Sequence, residues 1–414
     1  MERSLVGKLS LLLAAFSFRA EALCATPRTG NRGIESFTLE SIQSPGAASS
    51  SFRAALQRDS VVVIEPGTKD KAAIAALAAF GEDFFGLPTA ARDSFGPLQE
   101  PPHSDDHCGF PLPLGAWQSS CSPQTPQANL FLDTRLRRFR VGANTTATPA
   151  EEVALGEDGG SVLEVLPRGL GECCPGSERT LVQGQRALFD LGTTALSAAL
   201  AGGTAVGNNG QAVDVLDLVD CPATTLPVGA SSSSVLRFAW YPSDRGSSRS
   251  SSSSDSSKND GSKDDSDEKA GQGVSGVAFG AHTDGTWLTL VPCSRVPGLQ
   301  VALPNRRRRG SDGGGGGNSP LRKEEEEGGG GEGFVWQCPE VIEEDASSSL
   351  VPRPPGSVAV LVGDGLQFIS GGVYPSALHR VLRPQRGGAP RGSVPFLLRA
   401  SARYQAQSRL NRGN

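Results

Sequence analysis

Two histidines and one aspartate in this chain have the types and spacing of metal ligands. His282 and Asp284 stand two positions apart in Gly280-Ala281-His282-Thr283-Asp284-Gly285-Thr286-Trp287-Leu288-Thr289-Leu290. Residues two apart on a strand share a face, so an imidazole and a carboxylate can aim at one point. A second imidazole, His379, lies far downstream in Pro375-Ser376-Ala377-Leu378-His379-Arg380-Val381. Two imidazoles and a carboxylate on one side of a metal leave the opposite positions open, and this donor set suits non-haem Fe(II).

His-x-Asp alone is a common accident, but its surroundings are ordered. Leu288-Thr289-Leu290-Val291 is strand-like, and Pro297-Gly298-Leu299-Gln300-Val301 turns into another strand. Next come Gly363-Asp364-Gly365-Leu366-Gln367, the segment holding His379, and Arg391-Gly392-Ser393. This series resembles the plant-type 2-oxoglutarate/Fe(II) dioxygenases, the isopenicillin-N-synthase-like family. The family pattern runs H-T-D-x-x-x-L-T-L-L, G-L-Q-V, G-D-x-L-Q, S-x-x-H-R-V, R-x-S. The resemblance covers about residues 34–404 apart from two inserts, and its specific parts are 277–303 and 356–399.

The resemblance implies a mainly β fold with flanking helices, built on a double-stranded β-helix or jelly roll. It implies Fe(II) on His282, Asp284 and His379, with 2-oxoglutarate and dioxygen in the open positions and ascorbate as a supporting reductant. The implied reaction is oxidative decarboxylation of 2-oxoglutarate to succinate and carbon dioxide, coupled to oxidation of a small organic substrate. No catalytic residue beyond the metal ligands is implied. Arg391 is expected to receive the far carboxylate of the cosubstrate, because a guanidinium fork matches a carboxylate and stays charged. Ser393, two residues on, adds one hydrogen bond. Val235-Leu236-Arg237-Phe238-Ala239-Trp240-Tyr241-Pro242 is similar to the family's L-R-x-N-Y-Y-P, so Tyr241 is expected on the same carboxylate. The family Asn falls on Ala239, and its contact is absent or supplied elsewhere. Two other readings stand beside this one: an oxidase that does not use 2-oxoglutarate, and a metal-binding jelly roll without turnover.

The elements that must position these groups are mostly short. Strands are expected at 60–64, 234–241, 288–291, 334–336 and 357–362. Leu366-Gln367-Phe368-Ile369 is expected to continue the last of these after a Gly363-Asp364-Gly365 turn, and 393–398 to close the sheet. Many short strands with Gly/Pro turns indicate a sandwich or jelly roll. Helical spacing marks 69–85 and 180–201, and 51–57 reads as a helical turn. Segments 97–127 and 143–177 read as loops. Arg380, next to a ligand, should face away and be structural. Thr286 and Trp287 are candidates for the substrate pocket or for the core.

The bulk numbers bound the rest. Hydrophobic residues make up 37% of 414, and glycine numbers 52, but this polarity is local. Residues 244–269 contain Ser, Asp and Lys with no residue suited to a core, and 305–333 joins a Gly run to Arg306–Arg309 and Glu324–Glu327. Such segments are expected to be disordered inserts, and long insertions add little closure entropy. A net charge of −5 gives no general attraction to nucleic acid; the resemblance implies a small-molecule substrate, and a monomer is expected. The eight cysteines show no zinc spacing. His103 and His107, with Asp105 and Asp106, read as a solvated loop. Residues 1–25 have the outline of a signal or organelle-targeting segment; without one the protein is expected in the cytoplasm. The apolar run 9–18 is too short to span a bilayer. Asn144 opens a glycosylation sequon that matters only on a secretory route. The organisation expected is therefore an N-terminal region over 34–200 and a metal-binding core over 234–404.

Overall fold

Val61-Val62-Val63-Ile64 is buried throughout. β-Branched side chains favour extended backbone, and a continuous apolar run suits a strand covered on both faces. The computed structural model describes residues 33–91, 117–140, 160–164, 174–201, 215–220, 232–243, 276–304, 334–343, 350–384, 388–401 and 403–405, apart from 45, 89, 123, 124 and 135. The expected targeting segment, the two inserts, His103, His107 and Asn144 lie outside the described residues.

The elements run β1 (Ser36–Thr38), α1 (Leu39–Gln43), α2 (Ala47–Asp59), β2 (Val61–Glu65), α3 (Thr68–Gly86), β3 (Trp117–Ser122), β4 (Thr125–Thr134), β5 (Leu136–Arg140), β6 (Gly160–Glu164), α4 (Ser177–Leu200) and α5 (Val215–Leu218). They continue with β7 (Val235–Tyr241), β8 (Val277–His282), β9 (Leu288–Pro292), β10 (Leu299–Pro304), β11 (Phe334–Gln337), β12 (Val341–Glu343), β13 (Leu350–Pro352), β14 (Val358–Val362), α6 (Asp364–Ile369), β15 (His379–Leu382), β16 (Arg391–Ser393) and β17 (Phe396–Leu398). The larger sheet has the order β1-β2-β14-β9-β17-β7-β4-β3, with β16 also on β7. The smaller has the order β11-β10-β15-β8.

Strand alternation sorts the core into two layers. Val62, Ile64, Leu288, Leu290, Val358 and Val360 join one cluster with the helices. Their neighbours Val61, Val63, Val291, Ala359 and Leu361 join another with Leu299, Val301 and Leu303 of β10. The larger sheet therefore packs helices on one face and the smaller sheet on the other, which is a jelly-roll core with flanking helices.

On the helical side, α3 buries Ile74, Leu77, Phe80 and Phe84 and packs against α4. A Cβ placed on Gly184 of α4 would lie 2.4 Å from Leu77 Cγ, so glycine permits this close approach. Overpacking a filled core costs about 1–3 kcal/mol. Gly184→Val is expected to lower stability by about 2 kcal/mol in chemical denaturation, and an unchanged midpoint would show that the helices part freely.

Three segments differ from expectation. Residues 364–369 form α6, not a continuing strand. The N–H of Gln367 donates to Gly363 O at 3.1 Å, and Phe368 is 68% exposed, so the apolar run is not a buried strand. The loop expected over 97–127 contains β3 and the start of β4, paired from Trp117↔Leu132 to Ser122↔Thr125. The loop expected over 143–177 contains β6, paired with β5. Backbone pairing holds these polar segments, which carry no hydrophobic period to announce it.

Candidate metal and cosubstrate site

β8 ends at His282 and β15 begins at His379, and the two residues pair directly across the smaller sheet. Asp284 follows two residues after His282. One donor atom from each of the three side chains lies within 4.8 Å of the others. Both imidazole Nε2 atoms are 3.6 Å from the Asp284 carboxylate. His282 Nδ1 donates to Gly280 O at 2.9 Å, and His379 Nδ1 donates to Ala377 O at 3.0 Å. A carbonyl can only accept, so the neutral rings carry their protons on Nδ1 and turn the Nε2 lone pairs to the shared point. Two neutral imidazoles and a carboxylate are a fitting set for Fe(II).

The charges at Asp284 and His379 favour the same arrangement. Burial opposes ionisation of Asp284, but the two imidazoles beside it and the Thr289 hydroxyl outweigh it and hold the carboxyl at about 2. Burial lowers the His379 pKa and keeps that ring neutral. Burial also disfavours charged His282, yet its bonds to Asp284 and Gly280 O raise its pKa overall.

Neighbouring groups fix the ligands. Thr289 Oγ1 donates to Asp284 Oδ2 at 2.6 Å, and Thr286 Oγ1 is 3.0 Å from Thr289 Oγ1. The start of α6 ties the two ligand segments together. The N–H of Asp364 donates to Asp284 O at 2.8 Å. The Asp364 carboxylate accepts from Ser376 Oγ at 2.7 Å, and Gln367 Oε1 accepts from the N–H of Ser376 at 2.6 Å. The Gly-Asp-Gly-Leu-Gln segment is thus a brace between Asp284 and the approach to His379.

The triad opens into a narrow cavity of about 80 Å³ between the sheets, lined also by Arg237, Ala239, Tyr241 and Ser393. Strand alternation on β7 puts Arg237, Ala239 and Tyr241 on the cavity face. β16 pairs Ser393 with Ala239 and Arg391 with Tyr241. Burial raises the Tyr241 pKa, with Arg391 and Arg237 acting against the rise, so its hydroxyl remains a donor. A wider groove of about 600 Å³ lies along α1, α2 and α4, away from the triad.

Arg391 is brought beside Tyr241 but not onto the cavity wall. It is fully buried, with Nη2 2.9 Å from Glu340 Oε1, and Glu340 is equally buried. Nη1 donates to Val296 O at 3.0 Å, and Nε has no hydrogen-bond partner. Glu340 also accepts from the N–H groups of Ser294, Gly298 and Leu299 at 3.1, 2.7 and 2.9 Å. A Cβ on Gly298 would meet Arg391 Cδ at 2.8 Å, so glycine is required where this turn crosses the guanidinium.

Other expected residues fall as follows. Trp287 sits in the helix-side core, with Nε1 donating to Leu218 O at 3.1 Å. Thr286 is buried behind Asp284 on Thr289. Arg380 donates to Gln300 and covers the Trp336 ring at 4.1 Å. Sequence reasoning missed Glu340, Thr289 and Arg237. The strand period that selected Tyr241 also selects Arg237, four residues before it. Glu340 has no local signal.

Residues 334–400 match the 2OG-Fe(II) oxygenase superfamily. No curated protein matches the sequence. Among solved structures, one assigned to the 2OG-Fe(II) oxygenase family from Caulobacter crescentus is 17% identical, with a TM-score of 0.51, covering 90% of this chain and 88% of that one. A full-length Neurospora crassa protein solved in complex with alpha-KG is 15% identical, with a TM-score of 0.50, covering 91% of this chain and 88% of that one. The chain thus shares the fold of these structures, its residues 334–400 match the 2OG-Fe(II) oxygenase superfamily, and His282, Asp284 and His379 form a donor set that could hold a metal ion.

Proposed function

We propose that the protein couples oxidative decarboxylation of 2-oxoglutarate, giving succinate and carbon dioxide, to hydroxylation or related oxidation of a small organic molecule. The observation that carries this reading is the pair of Nε2 atoms and the Asp284 carboxylate converging at the mouth of a cavity that holds Tyr241 and Ser393. Fe(II) on the three ligands supplies activation of dioxygen. The chain's own part is to bind, orient and exclude water. In this reading Tyr241 and Ser393, which line the cavity, donate to the far carboxylate of the oxoacid, with the Arg391–Glu340 pair beside Tyr241. Val291, Leu299, Val381 and Leu397 give the cavity apolar walls, and a dry site strengthens every polar contact within it. The reading is of a protein acting on a small molecule and not on nucleic acid, supported by the narrow cavity and the net charge of −5. Among the described residues no helix is long and apolar enough to cross a membrane.

Succinate formation from 2-oxoglutarate in air, with Fe(II) and ascorbate, tests the proposal. Metal-dependent succinate release is expected from the full chain, and its absence across a broad metabolite panel would overturn the reading. Tyr241→Phe is expected to raise the 2-oxoglutarate concentration for half-saturation roughly fivefold, since one neutral hydrogen bond is worth about 1 kcal/mol. Equal half-saturation would remove Tyr241 from the cosubstrate.

A further inference from the structure

A second cavity lies on the helical side of the larger sheet. It is the groove of about 600 Å³ along α1, α2 and α4, and small-molecule sites usually span about 300–1,000 Å³. Helix α4 lines it with Thr194, Ser197, Ala198 and Ala201, which have the spacing of one helix face. Buried Ile42 and Ala198 give it an apolar floor. Among the described residues, Arg53 is the one charged group on its wall.

Arg53 is held in place but not neutralised. Its Nη1 donates to Ser49 Oγ at 3.0 Å and its Nη2 to Ser50 Oγ at 3.1 Å, and Ser49 is itself buried. Both partners stand about one turn earlier on α2, so the guanidinium leans back toward the start of that helix. The start has no side-chain cap and no acid in its first turn, and its Gly46 also lines the groove. The helix dipole therefore adds to the positive field there. Arg58, Lys71 and Arg391 each meet a carboxylate, whereas Arg53, among the described residues, meets only the two hydroxyls. A guanidinium carries further N–H donors beyond the two engaged here.

We propose that this groove is a second ligand site, taking a small organic monocarboxylate with an apolar body. One cation with no acid beside it matches one negative charge. Arg53 forks onto the carboxylate, Thr194 and Ser197 donate from the facing helix, and Ile42 and Ala198 receive the apolar part. The larger sheet stands between this groove and the metal ligands, so the occupant is not the molecule being oxidised.

The probe is 4-phenylbutyrate, titrated into the metal-free full chain and followed by ligand-observed NMR, with 4-phenylbutanol as its uncharged counterpart. Saturable binding of the acid is expected, about 10-fold or more tighter than that of the alcohol, in the range of a charge-assisted hydrogen bond. Arg53→Gln is expected to weaken the acid about 10- to 100-fold and to leave the alcohol unchanged. Ser197→Trp, at an exposed position, should fill the groove and abolish binding of the acid. The comparison of acid with alcohol needs no variant, so it stands even if a substitution disturbs the fold. No saturable binding of the acid, equal affinity for acid and alcohol, or wild-type affinity in both variants would each overturn the inference. None of these results involves the metal or 2-oxoglutarate, so they leave the proposed function to its own test.

Discussion

Asp284→Ala is expected to abolish tight Fe(II) binding and 2-oxoglutarate turnover together. Removing the carboxylate leaves two imidazoles that aim at a point with no anion, and two neutral donors compete poorly with water for Fe(II). Losing even a hydrogen-bond partner of a metal ligand typically costs about 10–100-fold in affinity, and loss of the ligand itself should exceed that. His282→Ala and His379→Ala should behave alike. Thr289→Val should show the smaller penalty, about 10–100-fold, because it removes the 2.6 Å bond that orients Asp284 Oδ2. Anaerobic Fe(II) titration with 2-oxoglutarate present, followed by visible absorption, measures all four. Wild-type affinity in Asp284→Ala would refute the triad.

The second large effect concerns stability. Glu340→Ala is expected to destabilise the fold by about 3–5 kcal/mol, the usual result of stranding one partner of a buried ion pair. Arg391 is then left buried without counter-charge, and the N–H groups of Ser294, Gly298 and Leu299 lose their acceptor. Arg391→Ala should cost a similar amount. Replacing both by apolar groups of like size should cost less than the sum of the single losses, since a buried pair often only breaks even against a hydrophobic substitute. A double-mutant cycle by denaturant unfolding decides it. Single losses below about 1 kcal/mol, the scale of exposed pairs, would mean that the two groups reach water.

The sequence made the ligands and the central strands legible for a simple reason. Period-two alternation aligns side chains on a strand and puts Ala239 and Tyr241 on one face of β7, while Asp284 lies just past the end of β8, where the His-x-Asp spacing carried the signal instead. The helices were legible because α3 and α4 repeat apolar residues at helical spacing over five turns or so. The misread stretches lack such a signal. Leu366-Gln367-Phe368-Ile369 is too short for periodicity to separate strand from helix. Trp117-Gln118-Ser119-Ser120-Cys121-Ser122 pairs through its backbone and shows no alternation. Glu340 was hidden for another reason: Gln337-Cys338-Pro339-Glu340 reads as a turn, and nothing local tells that a guanidinium from β16 needs it. A buried arginine demands a partner, but topology alone says which acid is within reach.

The direct pairing of His379 with His282 has a consequence for the chain's history. Each imidazole belongs to a different half of the metal-binding core, and the two meet only when β15 docks on β8. That docking is a long-range event of the kind that makes β-rich chains fold slowly. A nascent chain therefore carries His282 and Asp284 for a long stretch of synthesis as a bidentate fragment with little hold on iron. A metal ion that needs all three groups would therefore be captured only after β15 has docked on β8.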